Sequence, residues 1–361
     1  MGKKATFLYF DFLTLLFTAS LALFTIIVGV GSRSNPNEGI LLPLLGLSIV
    51  PLIIANLFML LYWGIRRKLW FVIPLIAVAG NYEYISAKYQ FRISSSAPNY
   101  KQRLIRIASY NVQAFHDDPS IYSVEEVTGL MKEYRTDIIC FQEFAESPYF
   151  SIDSIRLQFR DYPYAILCKG GEKKNNLAIF SKFPIINNAN IAFNSTKNGA
   201  MWVDVKVGKT TLRVFNCHLQ TTNFNQTRSL LTHVTTAGFY ESKKEAAINI
   251  MMRLAVNAQK RANQADMLSQ MIDTTRYAIV LCGDFNDIPT SYSYHRIKKL
   301  LKDGFQSAGS GFESTYRHFH QLLRIDYIFH SKDLIGTKYQ TPSFEFSDHN
   351  PVFMELAIKG K

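Results

Sequence analysis

The chain has 361 residues, 48% of them hydrophobic and 14% aromatic, and a formal charge of +12. That length holds one large domain and something more, and the apolar share is high for a wholly soluble enzyme. The four cysteines (Cys140, Cys168, Cys217, Cys282) lie far apart without paired spacing, which excludes a disulfide framework or a cysteine zinc site and leaves them as core residues.

The apolar excess sits at the front. "FLYFDFLTLLFTASLALFTIIVGV", Phe7 to Val30, is apolar but for Asp11 and a few small hydroxyl residues, and exceeds the roughly 20 residues that cross a bilayer. It is too long for the core of a signal peptide, and a second uncharged run, Ile40 to Gly64, follows directly. A third, "LWFVIPLIAVAGNYEYI" from Leu69 to Ile85, is shorter and ends in tyrosines and a glutamate. Residues 1–87 therefore read as a membrane segment of two or three transmembrane helices, the means by which the chain meets its membrane.

Lys3 and Lys4 precede the first span, Arg66, Arg67 and Lys68 follow the second, and the loop between is nearly neutral. Positive flanks stay in the cytoplasm, so the first two spans form a hairpin. A third span then carries the main domain to the outer, non-cytoplasmic face; if the third run only lies in the interface, the main domain is cytoplasmic. The reading favours the outer face. The positive charge suits phosphate-bearing substrates or an anionic membrane surface, but part of it belongs to these flanks, so it argues little for nucleic acid.

Residues 88–102, "KYQFRISSSAPNYKQ", are polar and serine-rich and read as a linker. After them short apolar runs alternate with amphipathic stretches. "LIRIASYNV" is a strand, and "SVEEVTGLMKEYR" is a helix capped by Ser123 with a glutamate three residues on. "DIICFQE", "NLAIFSKFPI", "MWVDVKV" and "TLRVFNCHL" are strands. Lys244 to Ile272 has a helical pattern, and "YAIVLCGDFN", "RIDYIFHS" and "NPVFMELAI" are strands again. The pattern is that of a layered α/β domain with two packed sheets and helices outside. Thr221 to about Asn257 reads as an insertion without an assignable role.

One event recurs along these strands. An apolar run ends in a carboxylate, amide or imidazole: Asn111; Glu143; Asn216 and His218; Asp284 and Asn286; Asp326; Asp348 and His349. One such end is a turn. The repetition points to a shared site at one end of a sheet.

The set "SYN", "FQE", "NNLAIFSKFPI", "NCHL", "GDFND", "RIDYIF" and "SDHNPV", in this order, resembles the endonuclease/exonuclease/phosphatase superfamily with its deoxyribonuclease I-like fold. The resemblance covers about Arg103 to Lys359 and leaves the membrane segment outside. It implies a four-layered α/β sandwich, two packed and mostly antiparallel sheets flanked by helices, with residues 103–361 as the catalytic domain. It also implies phosphodiester hydrolysis by metal-assisted attack of water, with Mg²⁺ (or Mn²⁺) as cofactor, since hard oxygen ligands suit such ions.

Carried over residue by residue, Glu143 is the main metal ligand, Asn111 stands beside it, and Asp348 completes the shell directly or through water. Asp284 orients or deprotonates the attacking water, and Asn286 binds the water or a phosphate oxygen. His349 donates to a phosphoryl oxygen while Asp326 fixes its tautomer, and His218 is a donor to the leaving oxygen. Asn175 is the phosphate-side residue of "NNLAIFSKFPI", and Asp287 is a turn residue.

This chain departs from the family in two places. Cys217 stands where the family often has Thr, and Asn176 where it often has Gly; asparagine tolerates the left-handed turn a glycine would take. The tryptophan-rich strand and "CDR" of the inositol polyphosphate phosphatases are missing, and "NCHL" differs from the tyrosine-containing loop usual in abasic-site endonucleases. The histidine-containing version is similar to the nuclease-like and sphingomyelinase-like branches, and the resemblance implies a phosphodiester substrate, a nucleic acid or a phospholipid headgroup, without fixing which. The alternative is a catalytically inactive, membrane-tethered binding module of the same fold. No protein partner can be read from the sequence.

Overall fold

The uninterrupted apolar runs at the N-terminus become helices, because only a helix satisfies its own backbone groups away from water. In the computed structural model, which describes residues 3–92, 103–115, 122–146, 151–168, 176–194, 196–222 and 240–359, these are α1 (Lys3–Gly31), α2 (Leu41–Leu45), α3 (Ile49–Ile65), α4 (Val72–Gly80) and α5 (Tyr82–Lys88). Leu8–Gly31 and Leu41–Ile65 are each long and apolar enough to cross a membrane.

They pack as a hairpin whose few polar side chains answer one another. Arg66 binds Asp11 at 2.7 Å, the Trp63 ring N–H donates to Thr18 at 2.9 Å, and the Asn56 amide donates to Thr25 at 2.8 Å. The third apolar run is broken. Leu69–Gly80 and Tyr82–Lys88 meet at 60°, and at the break Asn81 sits so close to Gly29 that a Cβ there would lie 1.9 Å from its Oδ1.

The stretch expected as a linker begins inside the fold. β1 (Tyr89–Gln90) pairs antiparallel with Gly311–Phe312; residues 93–102 lie outside the described residues. Next come β2 (Leu104–Asn111), β3 (Ile138–Gln142), β4 (Tyr164–Leu167), β5 (Ala178–Ser181), β6 (Ile185–Ala192), β7 (Gly199–Val207) and β8 (Thr210–His218). The remaining strands are β9 (Ala278–Asp284), β10 (Lys302–Asp303), β11 (Gly311–Phe312), β12 (Asp326–His330), β13 (Leu334–Gln340) and β14 (Val352–Ile358). The helices of this body are α6 (Tyr122–Glu133), α7 (Ile152–Gln158), α8 (Tyr240–Asp273), α9 (Tyr292–Lys298) and α10 (Gly304–Ala308).

Two six-stranded sheets result, ordered β10-β12-β9-β8-β7-β6 and β13-β14-β2-β3-β5-β4. Each is mixed, with β8–β9 and β2–β3 the parallel pairs in otherwise antiparallel sheets. Ile107, Ile138 and Ile179 of one sheet meet Val203, Val214, Val280 and Ile328 of the other in a dry central layer. The outer face of the second sheet is covered by Val127 and Met131 of α6 and Ile155 of α7, and that of the first by Leu268 of α8 and Ile297 of α9. This is the helix–sheet–sheet–helix sandwich expected, since strands apolar on both faces need a cover on each.

Two local expectations are corrected. Ser123 is not a cap, because α6 already begins at Tyr122, and its hydroxyl is buried within the first turn. The supposed insertion runs into α8, which starts at Tyr240; residues 221 and 222 are described and residues 223–239 lie outside the described residues.

Candidate active site

The sheets place their polar ends together. In parallel β8 and β9 the Cα partner of His218 is Asp284, and in antiparallel β9 and β12 the partner of Asp284 is Asp326. Three chemical groups thus stand side by side on one sheet. The close approach of β8 and β9 depends on Gly283 (φ +152°), where a Cβ would lie 2.0 Å from the Cys217 carbonyl oxygen. The glycine before Asp284 is a packing requirement.

The second sheet supplies the facing wall. β2 ends at Asn111 and β3 at Gln142, after which Glu143 turns out of the strand at φ +51°. A left-handed glutamate costs about 1–3 kcal/mol, strain that concentrates at functional sites. The turn leaves its side chain 37% exposed, the most open carboxylate of the group.

One amide joins the walls. Asn111 Nδ2 donates to Glu143 Oε1 at 3.2 Å and to Asp284 Oδ2 at 3.1 Å, while its Oδ1 accepts from the backbone N–H of Gln113 at 3.1 Å. Around the same Asp284 oxygen lie His218 Nε2 at 3.5 Å and His349 Nε2 at 3.8 Å. Asp284 Oδ1 accepts from the backbone N–H of Asn286 at 2.8 Å. His218 Nε2 also lies 3.8 Å from Glu143 and 3.3 Å from the Thr221 hydroxyl.

His349 is braced from behind by Asp326, 2.9 Å from its Nδ1. Burial alone would lower the imidazole, but the charges of Asp326 and Asp284 outweigh it and lift it to about 10. These charges favour the protonated ring, whose Nε2–H would face the cleft. Asp348 Oδ1 lies 3.8 Å from that nitrogen. Burial raises Asp348 above the ordinary range; His349 opposes this, and Glu143 and Asp284 add to it.

Glu143, Asp284 and Asp348 crowd negative charge into one cleft, and among the described residues their ion-pair partners are histidines only. Such a donor set fits a divalent cation. Asp284, Asp326 and His349 offer ligand atoms within 4.8 Å of one another, a group that could hold an ion, although Asp326 and His349 are already engaged with each other. To ligate beside Glu143, Asn111 has to turn its oxygen inward in place of its nitrogen.

Of the residues expected to form the site, Asn111, Glu143, His218, Asp284, Asn286, Asp326, Asp348 and His349 come together. Asn175 lies outside the described residues. Its neighbour Asn176 takes the left-handed turn at φ +42°. Asn286 is also left-handed, at φ +51°, and its amide donates to the Leu219 carbonyl at 3.3 Å. Asp287 does more than turn the chain: it binds Arg261 of α8 at 3.1 Å and accepts from Ser293 of α9.

Other motif positions turn out to be supports. Asn216 donates to the carbonyls of Phe141 and Ala178 on the opposite sheet at 2.8 and 3.1 Å and accepts from Gln142 at 2.7 Å. Ser347 donates to the Asn111 carbonyl at 2.7 Å and accepts from the His349 backbone N–H at 3.2 Å. Tyr316, which no sequence signal marks, packs edge-on to His349 with ring centroids 5.1 Å apart. Burial and then the charges of Asp348, Asp284 and Glu143 keep its phenol protonated.

The model of the endonuclease/exonuclease/phosphatase family matches residues 108–349. The chain belongs to that family. The match takes in every residue just placed around the cleft, from Asn111 to His349. A second model, for a domain of unknown function, matches residues 10–88. Among curated proteins none matches the sequence.

Solved structures share the fold of this family member. A Bacteroides thetaiotaomicron endonuclease/exonuclease/phosphatase family protein has a TM-score of 0.52 and 18% identity, covering 72% of this chain and 100% of that one. A Bacteroides vulgatus endonuclease/exonuclease/phosphatase has a TM-score of 0.52 and 16% identity over 72% and 100% of the two chains. D. rerio TDP2, humanized by 14 mutations, has a TM-score of 0.52 and 14% identity over 70% and 98%.

Proposed function

We propose that this family member is a membrane-anchored, Mg²⁺-dependent phosphodiesterase that hydrolyses a phosphodiester bond, with residues 1–87 as its anchor and 103–361 as its catalytic domain. The observation that carries this reading is the Asn111 amide, which donates to a carboxylate from each sheet and so sets Glu143, Asp284 and two imidazoles around one cleft.

Glu143 would hold the ion, with Asn111 and Asp348 completing its shell; Glu143 is favoured over the Asp284–Asp326–His349 group because its carboxylate is open while Asp326 and His349 are engaged with each other. A bound Mg²⁺ supplies charge neutralisation at the phosphoryl oxygens. Asp284 orients the attacking water and takes its proton, with Asn286 holding the water or a phosphate oxygen. The Nε2–H of His349 donates to a phosphoryl oxygen as negative charge grows there, and Asp326 holds its other nitrogen. His218, on the opposite side of Asp284, donates to the leaving oxygen. Asn175 is assigned to the phosphate side on its motif alone.

The body lies on the outer, non-cytoplasmic face. The loop between the first two spans touches it, with Asn37 bound to Asn263 at 2.9 Å and Gln259 donating to the Pro36 carbonyl at 3.3 Å. The basic flanks belong to the other end of the hairpin and stay in the cytoplasm. Protease protection in sealed cells tests the side.

The catalytic reading is tested by hydrolysis of bis-p-nitrophenyl phosphate in Mg²⁺ by the full chain, compared with Glu143→Ala and His349→Ala. Activity is expected to collapse in both variants. Equal activity in all three would leave a binding module of the same fold.

A further inference from the structure

We propose that a cavity between the membrane hairpin and the active site takes an acyl chain of the substrate, which makes that substrate a membrane lipid carrying a phosphodiester headgroup. The inference rests on the phosphodiesterase reading and narrows it to one substrate class.

The cavity measures about 330 Å³ and has three walls. Pro43, Leu44 and Leu47 form the first, and they belong to the start of the second candidate span, Leu41–Ile65. Leu254 and Ala258 of α8 form the second, and Ile288, Leu323 and Ile325 the third. Its volume lies within the roughly 300–1,000 Å³ of small-ligand sites.

The polar groups in these walls are spent on one another. Arg261 is held by Asp287 at 3.1 Å, by Thr222 at 2.8 Å and by the Gln220 carbonyl at 3.1 Å. Asp287 also takes the Ser293 hydroxyl, and Tyr292 is bound to Asp266 at 2.8 Å. The surface left for a guest is apolar.

The lining reaches both the active site and the hairpin. Asn286, two residues from Asp284, lines it, and so does Phe319, which packs on Tyr316 beside His349. Leu47 of the hairpin is 49% and Phe319 48% exposed, so apolar lining is open to the outside. An apolar slot that starts on a membrane-spanning helix and ends beside a phosphoester site matches a lipid, with its chain in the slot and its headgroup phosphate before Asp284. A nucleic acid strand offers nothing of that shape, being charged along its length. Chain burial is worth roughly fourfold in affinity per methylene, ~0.8 kcal/mol each.

The experiment uses the full chain in vesicles of phosphatidylcholine, phosphatidylethanolamine, phosphatidylglycerol and sphingomyelin with Mg²⁺. Parallel arms contain short-chain dibutyryl analogues, duplex DNA and bis-p-nitrophenyl phosphate. At least one long-chain lipid is expected to be cleaved with kcat/KM tenfold or more above its short-chain analogue. Ala258→Trp, which fills the slot, should lower long-chain cleavage at least tenfold while leaving bis-p-nitrophenyl phosphate within twofold. Leu47→Trp repeats the test from the hairpin side should the first variant fold poorly.

Faster cleavage of DNA than of any lipid overturns the proposal, as does indifference to chain length. So does an equal effect of the tryptophan variants on lipid and on bis-p-nitrophenyl phosphate. Should bis-p-nitrophenyl phosphate itself survive intact, the phosphodiesterase reading falls and takes the lipid with it; cleavage of that ester without chain preference removes the lipid alone.

Discussion

His349 Nδ1 lies 2.9 Å from Asp326 Oδ2, and Asp326 is the direct cross-strand partner of Asp284. Two aspartates of one sheet therefore serve different masters, one behind the imidazole and one before it. Asp326→Asn keeps the shape and removes the charge that outweighs burial at His349. We expect hydrolysis of bis-p-nitrophenyl phosphate to fall by on the order of 10²–10⁴-fold, the usual range for losing a positioned acid, with the far-ultraviolet circular dichroism unchanged. Loss of less than a few-fold would remove the dyad from the mechanism.

Metal binding can be read without turnover. An ion that binds only the folded chain raises its stability by about 2.7 kcal/mol at one hundred times its Kd. Adding Mg²⁺ to the wild-type protein should raise its melting temperature, and EDTA should reverse the gain. In Glu143→Gln the shift should vanish, since the open carboxylate is gone. An equal shift in both proteins would move the ion elsewhere, with the Asp284, Asp326 and His349 group the next position to test.

Asn216 ties the sheets together through three hydrogen bonds in a fully buried position. Asn216→Ala takes a donor from the Phe141 and Ala178 carbonyls and one acceptor from the Gln142 amide, which keeps Ser109 and the Cys140 carbonyl; a buried polar group left unpaired costs roughly 1–3 kcal/mol. We expect a net loss of about 3 kcal/mol, seen as a lower denaturation midpoint. Activity should fall as well, because His218 sits on the same strand two residues on.

A pH effect on stability follows from Glu313, which accepts from Thr341 at 2.7 Å. Burial raises it from 4.5 to about 6 against the opposing charges of Arg324 and Lys88. The folded chain thus keeps this proton to higher pH than the unfolded chain does. The stabilisation is complete below pH 4.5 and is lost as pH rises through about 6, an effect of ~2 kcal/mol at 1.36 kcal/mol per unit. Thermal melts of Glu313→Gln between pH 4 and 7 should lack that component, and identical pH profiles for variant and wild type would contradict it.

The central strands were legible because both their faces are covered, so "IICFQ" and "AIVLCGD" read as near-continuous apolar runs. The strands that went unread are β4, β6, β10 and β13, each the edge of its sheet, and the separate two-stranded β1–β11 pair. β6, "IINNANIA", is mostly exposed and carries three asparagines, a composition that suits an unpaired edge and hides its period. That the polar strand ends would converge was legible for the same reason in reverse: polar residues ending buried strands have few structural excuses. Its supports were not. Ser347 and Tyr316 act through contacts between segments distant in sequence, and no local pattern encodes such a meeting.

Among the described residues the last helix of the N-terminal segment joins the sandwich without a break. α5 leads straight into β1, the Ala87 carbonyl is gripped by the buried Arg324 at 2.9 Å, and Tyr89 is already in register with Phe312. If the N-terminal helices anchor the chain as proposed, a body joined this rigidly cannot sweep a hemisphere of solution in search of encounters, as one on a leash would. A lipid substrate would then be delivered by lateral diffusion within the leaflet, and turnover on vesicles should track the mole fraction of substrate in the surface and ignore how much lipid the tube contains.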